Sequence, residues 1–150
     1  GQRADSAFVC HGARQAAQAL NIGFLSRVQR GRPWLRLKVA ASLDGRTALP
    51  DGRSQWITGA DARRDGHAWR RRAGAVLTGI GTVLADDPQL DVRLVPTQRQ
   101  PLRVVVDSAF ATPPTARLLQ VPGRVLVVGA QAQPERMAAL RAAGFEAREQ

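Results

Sequence analysis

The chain has 22 basic residues, and Lys38 is the single lysine among them. A lysine ammonium is a compact charge whose pKa can be lowered, whereas an arginine guanidinium stays charged. Lys38 is therefore singled out by its residue type, and a chance occurrence of one lysine among the basic residues is the alternative. Asp86 and Asp87 are adjacent carboxylates, and Asp86 is a candidate to hold a sugar hydroxyl or to polarise a reacting group. Hydrated carboxylates at a helix end would explain that pair equally simply.

A second signal is a glycine-containing turn at residues 79–82, between an apolar run and a short helical run. Such turns bring backbone N–H groups close to a phosphate. The spacing is not the dinucleotide fingerprint, because Leu84 stands where its third glycine would be. An ordinary strand-to-helix turn accounts for the pattern as well, so both interpretations stay open.

Arginines are the third signal. Arg93 lies in an extended, proline-flanked segment, and its planar fork suits phosphate oxygens. The arginines of the helical run at 58–72 are better explained, one by one, as a solvated helix face.

Hydrophobic periodicity predicts the elements that must position these groups. Alternation of apolar and polar residues predicts a strand from Trp34 to Ala41. Residues 44–45 and 50–52 have turn composition, and a short return strand is predicted over 46–49. Ala13 to Leu20 is predicted as a helix with Gly23 as its C-cap.

The second half of the chain shows alternating strands and helices. A capping box at Thr58–Asp61 is predicted to open a helix that runs to Arg72. The further predicted elements are a strand over 75–78, a short helix to Ala85, strands over 102–106 and 125–128, a helix from Pro134 to Ala143 and a strand from Phe145. This order predicts an α/β fold with helices on both faces of a mostly parallel sheet.

Composition narrows the function classes. At 150 residues the chain is about one domain, and it has no apolar run long enough for a membrane span. A single cysteine, Cys10, fits a reducing, cytoplasmic compartment, and neither histidine lies in a metal-ligand pattern. The net charge of +10 invites a nucleic-acid-binding interpretation. The basic residues are scattered and no aromatic stacking platform is apparent, so no nucleic-acid partner is expected.

Four motifs occur in order at close spacing: KVAASLDGRTA, SQWIT, TGIGTVLADDPQLDVR and QPLRVVVDS. Together they closely resemble the reductase domain of the bifunctional deaminase/reductase of bacterial riboflavin biosynthesis. The resemblance covers about residues 23–108 and continues more weakly to Gln150. It implies that residues 1–22 are a linker from an upstream deaminase domain and that 23–150 are the N-terminal part of the reductase domain.

The resemblance implies a dihydrofolate-reductase-like fold. It also implies reduction by NADPH of the ribose of 5-amino-6-(5-phosphoribosylamino)uracil, a phosphoribosylamino-pyrimidine, to the ribitylamino product. The residues implied as catalytic are Lys38 and Asp86. Those implied to bind the cofactor are Ala40, Trp56, Thr82, Asp86 and Ser108. Those implied to bind the substrate are Ser54, Arg70, Leu90 and Arg93.

The same resemblance implies homo-oligomers and a sheet that is incomplete here, because the family's later glycine loop follows Gln150. Two alternatives stay open. One is a related pyrimidine or pterin reductase of the same fold, and the other is an arginine-rich nucleic-acid-binding module.

Overall fold

A computed structural model describes residues 10–150, with side chains from residue 13 onward. The chain divides into a first unit that ends at Val39 and a second unit from Ala40 to Gln150. In the described part of the chain, no helix is long and apolar enough to cross a bilayer.

The first unit contains two helices, α1 (Cys10–Leu20) and α2 (Ile22–Arg30). The predicted helix over 13–20 is confirmed. The predicted stop at Gly23 is wrong, because Gly23 lies inside α2. That helix ends at Gly31, whose φ of 64° is left-handed and whose N–H donates to the Arg27 carbonyl.

The strand predicted from Trp34 to Ala41 is not formed, and neither is the return strand predicted over 46–49. Both segments lack a hydrogen-bonded β partner among residues 10–150. Leu35 and Leu37 are 83% and 88% exposed, so the alternation has no buried face to pack on. The predicted turns are present: the Gly45 N–H donates to the Ser42 carbonyl at 2.9 Å, with a φ of 81° at Gly45.

Helix α3 (Ala60–Arg72) opens the second unit's regular structure. Its end at Arg72 is as predicted, but the capping box is wrong. The N-cap is Gly59 and no side chain caps the helix, because Thr58 lies one residue too early to do so.

The rest of the second unit is a parallel sheet with connecting helices, which confirms the predicted fold class. The strand order is β1-β2-β3-β4, and each strand pairs in parallel with the next along the chain. The elements are β1 (Ala75–Gly79), α4 (Ile80–Asp86), β2 (Leu102–Val106), a 3₁₀ turn (Arg117–Leu119), β3 (Val125–Gly129), α5 (Pro134–Ala142) and β4 (Glu146–Glu149).

The core lies on one face of this sheet. Val105 and Val127 are fully buried there and belong to one apolar cluster with Val83 of α4 and Leu140 of α5. Full burial of each such side chain contributes roughly 1.5–3 kcal/mol. On the other face of the sheet, the Leu77 residue of β1 remains 66% exposed.

Arg103 of β2 is also fully buried on the core face. Its guanidinium donates to the Leu118 carbonyl at 2.6 Å and the Gly123 carbonyl at 2.7 Å, with longer bonds to two carbonyls between them. Burial lowers the pKa of Arg103. The side chain thereby holds the irregular segment that connects β2 to β3.

Candidate functional site

The carboxyl ends of β1 and β2 bring two predicted cofactor residues to one edge of the sheet. Gly79, the last residue of β1, pairs with Val106, the last residue of β2. Thr82 lies in the first turn of α4, directly after β1, and Ser108 follows β2 by two residues. Both side chains are exposed. In open α/β sheets this is the edge at which ligands gather.

The loop that carries Ser108 is anchored by a buried carboxylate. Asp107 is 1% exposed, and its Oδ2 accepts hydrogen bonds from both the N–H and the hydroxyl of Thr112, each at 2.7 Å. The Ser108 carbonyl accepts from the N–H groups of Ala130 and Gln131, which follow β3. The backbone of this predicted cofactor residue is thus tied to the ends of two strands.

Asp86 is the last residue of α4, and its side chain is exposed. Its neighbour Asp87 is left-handed, with a φ of 40°, and its Oδ1 accepts from the Arg117 N–H at 2.9 Å. The adjacent carboxylates therefore have different environments, since Asp87 holds the backbone and Asp86 faces solvent.

Arg70 and Arg93, the two predicted substrate arginines, meet at Asp91. The Arg70 Nη1 donates to the Asp91 carbonyl at 3.1 Å, and the Arg93 Nη1 pairs with the Asp91 carboxylate. Asp91 is 5% exposed, whereas the Arg93 side chain remains 49% exposed. Arg93 thus keeps donors that face solvent beside Arg70, an arrangement suited to an anion.

The charges of this cluster favour an anion. Burial lowers the pKa of the Arg70 guanidinium, and repulsion from Arg93 lowers it further. Two guanidinium groups face one carboxylate, so one positive charge is left uncompensated. An anionic ligand would relieve the repulsion between the arginines.

His67 completes the cluster and was not identified from the sequence. It lies on α3 one turn before Arg70, is 5% exposed, and accepts the Arg93 N–H on its Nδ1 at 3.1 Å. Burial, followed by repulsion from Arg70 and Arg93, lowers the pKa of His67 to about 4. The i, i+3 spacing of His67 and Arg70 is the signal that would have placed both on one helix face.

Leu90, predicted to contact the substrate, has a buried side chain that packs in the core cluster. Its φ of 54° is left-handed, which is uncommon for a leucine. Contact between Leu90 and a ligand is therefore restricted to its backbone.

Trp56, a predicted cofactor residue, is 69% exposed, and the Arg63 guanidinium lies 4.4 Å from its ring centroid. Arg63 also donates to the Thr58 carbonyl. Arg63, interpreted from the sequence as part of a solvated helix face, is half-buried and has both of these partners. Ser54 is half-buried, two residues before Trp56, and Ala40 is half-buried at the start of the second unit.

The motif around Asp44 forms a local turn. The Ser42 hydroxyl donates to the Asp44 carboxylate at 2.5 Å, and the Arg46 Nε donates to it at 3.0 Å. The hydrogen bond from Ser42 is the main cause that lowers the pKa of Asp44. Lys38 lies in the first unit with an exposed side chain.

Four predicted site residues are therefore grouped by the structure, as two pairs, in ways the sequence did not reveal. Arg70 and Arg93 share one buried partner, and Thr82 lies at the same sheet edge as Ser108. In the part of the chain that the structure describes, no group of three or more His, Cys, Asp or Glu residues is placed to hold a metal ion.

Comparison with known proteins shows what this arrangement is similar to. Residues 33–147 match the RibD C-terminal domain family. The riboflavin biosynthesis protein RibD of Escherichia coli is 48% identical, with 77% of this chain and 35% of that protein aligned. RibD of Aquifex aeolicus is 37% identical, with 88% of this chain and 37% of that protein aligned.

Solved structures give the same result. RibD of Acinetobacter baumannii superimposes with a TM-score of 0.77 at 43% identity, covering 92% of this chain and 39% of that one. The Thermotoga maritima diaminohydroxyphosphoribosylaminopyrimidine deaminase/5-amino-6-(5-phosphoribosylamino)uracil reductase has a TM-score of 0.76 at 32% identity, covering 91% and 37%. The chain thus spans little more than a third of the relatives that it matches.

Proposed function

Because the chain belongs to the RibD C-terminal domain family, whose fold is dihydrofolate-reductase-like, we propose that it carries part of a reductase site of riboflavin biosynthesis. The proposed reaction is hydride transfer from NADPH to the ribose of 5-amino-6-(5-phosphoribosylamino)uracil, which gives the ribitylamino product. A deaminase domain upstream in the parent protein and a homo-oligomeric assembly are part of the same proposal.

The observation that carries the proposal is the arginine pair at Asp91. Two guanidinium groups from separate segments, α3 and the loop after α4, converge on one buried residue. Burying Arg70 beside Arg93 costs free energy unless a negative charge arrives. A phosphorylated ribose supplies that charge, and the bidentate geometry of guanidinium suits phosphate oxygens. This favours a phosphorylated substrate over the unphosphorylated pterins of related reductases.

The residues at the sheet edge fit a nicotinamide dinucleotide in their chemistry. Thr82 and Ser108 present exposed hydroxyls beyond the carboxyl ends of β1 and β2, and Asp86 presents an exposed carboxylate at the end of α4. Hydroxyls and carboxylates bind ribose and amide groups, and the exposed indole of Trp56 offers a ring surface. The Ala40 backbone is assigned to the same cofactor. When bound, NADPH supplies the hydride.

The chain's own residues then bind and orient the substrate and the cofactor. Arg70 and Arg93 hold the phosphate, and the Leu90 backbone and Ser54 contact the rest of the substrate. Asp86 orients the cofactor ribose. Holding reactants in a productive geometry is the protein's main contribution to such a hydride transfer.

On the resemblance alone, Lys38 is assigned the role of supplying a proton or a positive field at the carbon that accepts the hydride. Replacing Lys38 by Met should lower turnover in the reductase while the stability of the fold is kept, since the side chain is exposed. Unchanged turnover would remove Lys38 from the mechanism.

The cofactor half of the proposal is tested by thermal melting with NADPH, NADH or a short DNA duplex at low and moderate salt. A ligand at 100 times its Kd adds about 2.7 kcal/mol to the free energy of unfolding. We expect stabilisation by NADPH that exceeds that by NADH and survives salt. A shift with DNA alone, lost at moderate salt, would instead favour a nucleic-acid-binding module.

A matched pair of variants localises the cofactor effect. Thr82→Val should reduce the NADPH-induced shift in melting temperature. Thr115→Val, which changes another exposed threonine, is the control and should leave that shift intact. Equal shifts in both variants would exclude Thr82 from the cofactor site.

The substrate half is tested with ribose 5-phosphate and ribose as probes. We expect the chain to prefer ribose 5-phosphate and to lose that preference in Arg93→Gln. Arg99→Gln, which removes an exposed arginine from the same segment, is the matched control and should retain the preference. If the wild-type chain does not distinguish the two sugars, the phosphate-binding role of the arginine pair is refuted.

A further inference from the structure

The position of the Arg93 backbone is determined by a histidine from a different segment. The Arg93 N–H donates to His67 Nδ1 at 3.1 Å across 26 residues of sequence. His67 lies on α3, three residues before Arg70, so one helix face contacts Arg93 through His67 and Asp91 through Arg70.

Three further contacts hold the residues just before Arg93. Gln100 bonds to Val92 twice, accepting the Val92 N–H at 2.7 Å and donating to its carbonyl at 2.9 Å. Arg70 donates to the Asp91 carbonyl. The bond to His67 is the contact that acts on the Arg93 backbone itself. Without it, the position of the Arg93 backbone depends on its neighbours at 91 and 92 and on the ion pair between its side chain and Asp91.

Only a neutral imidazole can accept this bond. Accepting on Nδ1 requires the His67 proton to be on Nε2. The charged groups that face the ring are Arg70 on its own helix and Asp91 and Arg93 on the adjacent loop. Burial disfavours an imidazolium, and so do two positive charges against one negative charge, which agrees with the His67 pKa of about 4. The hydrogen-bond geometry and the lowered pKa both favour a neutral ring that accepts this bond at neutral pH.

We propose that His67 is a positioning residue for phosphate recognition: its Nδ1 fixes the Arg93 backbone so that the Arg93 and Arg70 guanidinium groups face the same anion. This rests on the proposed function, in which that pair binds the substrate phosphate. Its role differs from that of the arginines, since His67 acts through Arg93 and does not touch the ligand.

The test compares His67→Leu with His67→Asn in the 150-residue chain. Leucine keeps apolar bulk but cannot accept a hydrogen bond, whereas asparagine carries an acceptor, Oδ1, at the position of the histidine Nδ1. The readout is the ratio of the dissociation constants for ribose and ribose 5-phosphate, measured by NMR titration. A loss of overall stability alone would not change this ratio.

We expect His67→Leu to lower the preference for ribose 5-phosphate by about 3- to 10-fold, the equivalent of one hydrogen bond, and His67→Asn to restore most of it. A folded His67→Leu chain that keeps the wild-type ratio overturns the inference and leaves the proposed function intact. A wild-type chain without any preference overturns both.

A measurement on the wild-type chain tests the positioning role of His67 even if a variant does not fold. Long-range ¹H–¹⁵N spectra should show His67 neutral at pH 7 with its proton on Nε2. Addition of ribose 5-phosphate should then shift both the Arg93 amide and the His67 Nδ1 resonance. A proton on Nδ1, or a ligand that shifts the Arg93 amide and leaves the His67 nitrogen unchanged, would refute the positioning role.

Discussion

Gly129, the last residue of β3, lies where the structure has no room for a side chain. A Cβ built on Gly129 would lie 2.5 Å from the Phe110 Cζ and 2.9 Å from the Asp107 carbonyl oxygen. Ordinary van der Waals contacts of a Cβ begin near 3.4 Å. Phe110 is 2% exposed and cannot swing into solvent, and Asp107 is held by Thr112.

We therefore expect Gly129→Ala to destabilise the chain by about 3 kcal/mol, at the upper end of the cost of overpacking, because both the ring and a backbone carbonyl must move. For a chain of this size, that loss corresponds to a decrease in Tm of roughly 6–12 °C. The free energy of unfolding is measured by urea denaturation followed by circular dichroism.

The matched control is Gly66→Ala, which adds the same methyl group in the interior of α3. Nothing lies within 4 Å of that position, and alanine is a better helix former than glycine. We expect Gly66→Ala to be neutral or to stabilise by up to about 1 kcal/mol.

The clash itself is tested in a Phe110→Ala background. Removing the ring should reduce the cost of Gly129→Ala substantially, leaving the contact with the Asp107 carbonyl. If Gly129→Ala costs less than 1 kcal/mol, or costs the same with and without the Phe110 ring, a clash with that ring does not limit the side chain at position 129.

Two further outcomes follow from buried polar groups. Asp107→Ala and Thr112→Val should each destabilise the chain. Their double-mutant cycle should give a coupling free energy of about 1–2 kcal/mol, because one carboxylate oxygen of Asp107 accepts both Thr112 donors. Additive effects of the two substitutions would contradict this. His67 has a folded pKa near 4, below its unfolded value, so the unfolded chain binds more protons between about pH 4 and 6.5. The wild-type chain should lose stability as the pH falls through that range, and this group contributes at most about 1.4 kcal/mol per pH unit to the loss. The His67→Gln variant should lose less stability over the same range. Identical pH profiles for the two chains would show that His67 is not buried as a neutral group.

The regular elements of the parallel sheet were predictable because their signals are local. Short segments rich in valine and leucine predicted β2 and β3, and Pro134 at the first position marked the start of α5. The turn at Asp44-Gly45 is likewise set by residues within four positions of each other. The resemblance to the reductase family came from the same kind of local information, four ordered motifs.

Tertiary structure decided what local pattern could not. The alternation at 34–41 predicts a strand, but a strand needs a hydrogen-bonded neighbour, and none is present among the described residues. The capping box failed because the helix begins one residue later than its motif suggests. Both errors concern segments whose structure depends on what lies beside them.

The grouping of the site residues is also a tertiary result. Arg70 and Arg93 were each candidates from their type, but their meeting at Asp91 depends on how the loop after α4 packs against α3. That packing buries His67, and burial lowers the pKa of its imidazole, which favours the neutral form that accepts the Arg93 N–H. The sequence by itself determined which chemical groups are available, whereas the tertiary structure decided which of them lie together and which are buried, because the contacts that group them join residues more than 20 positions apart.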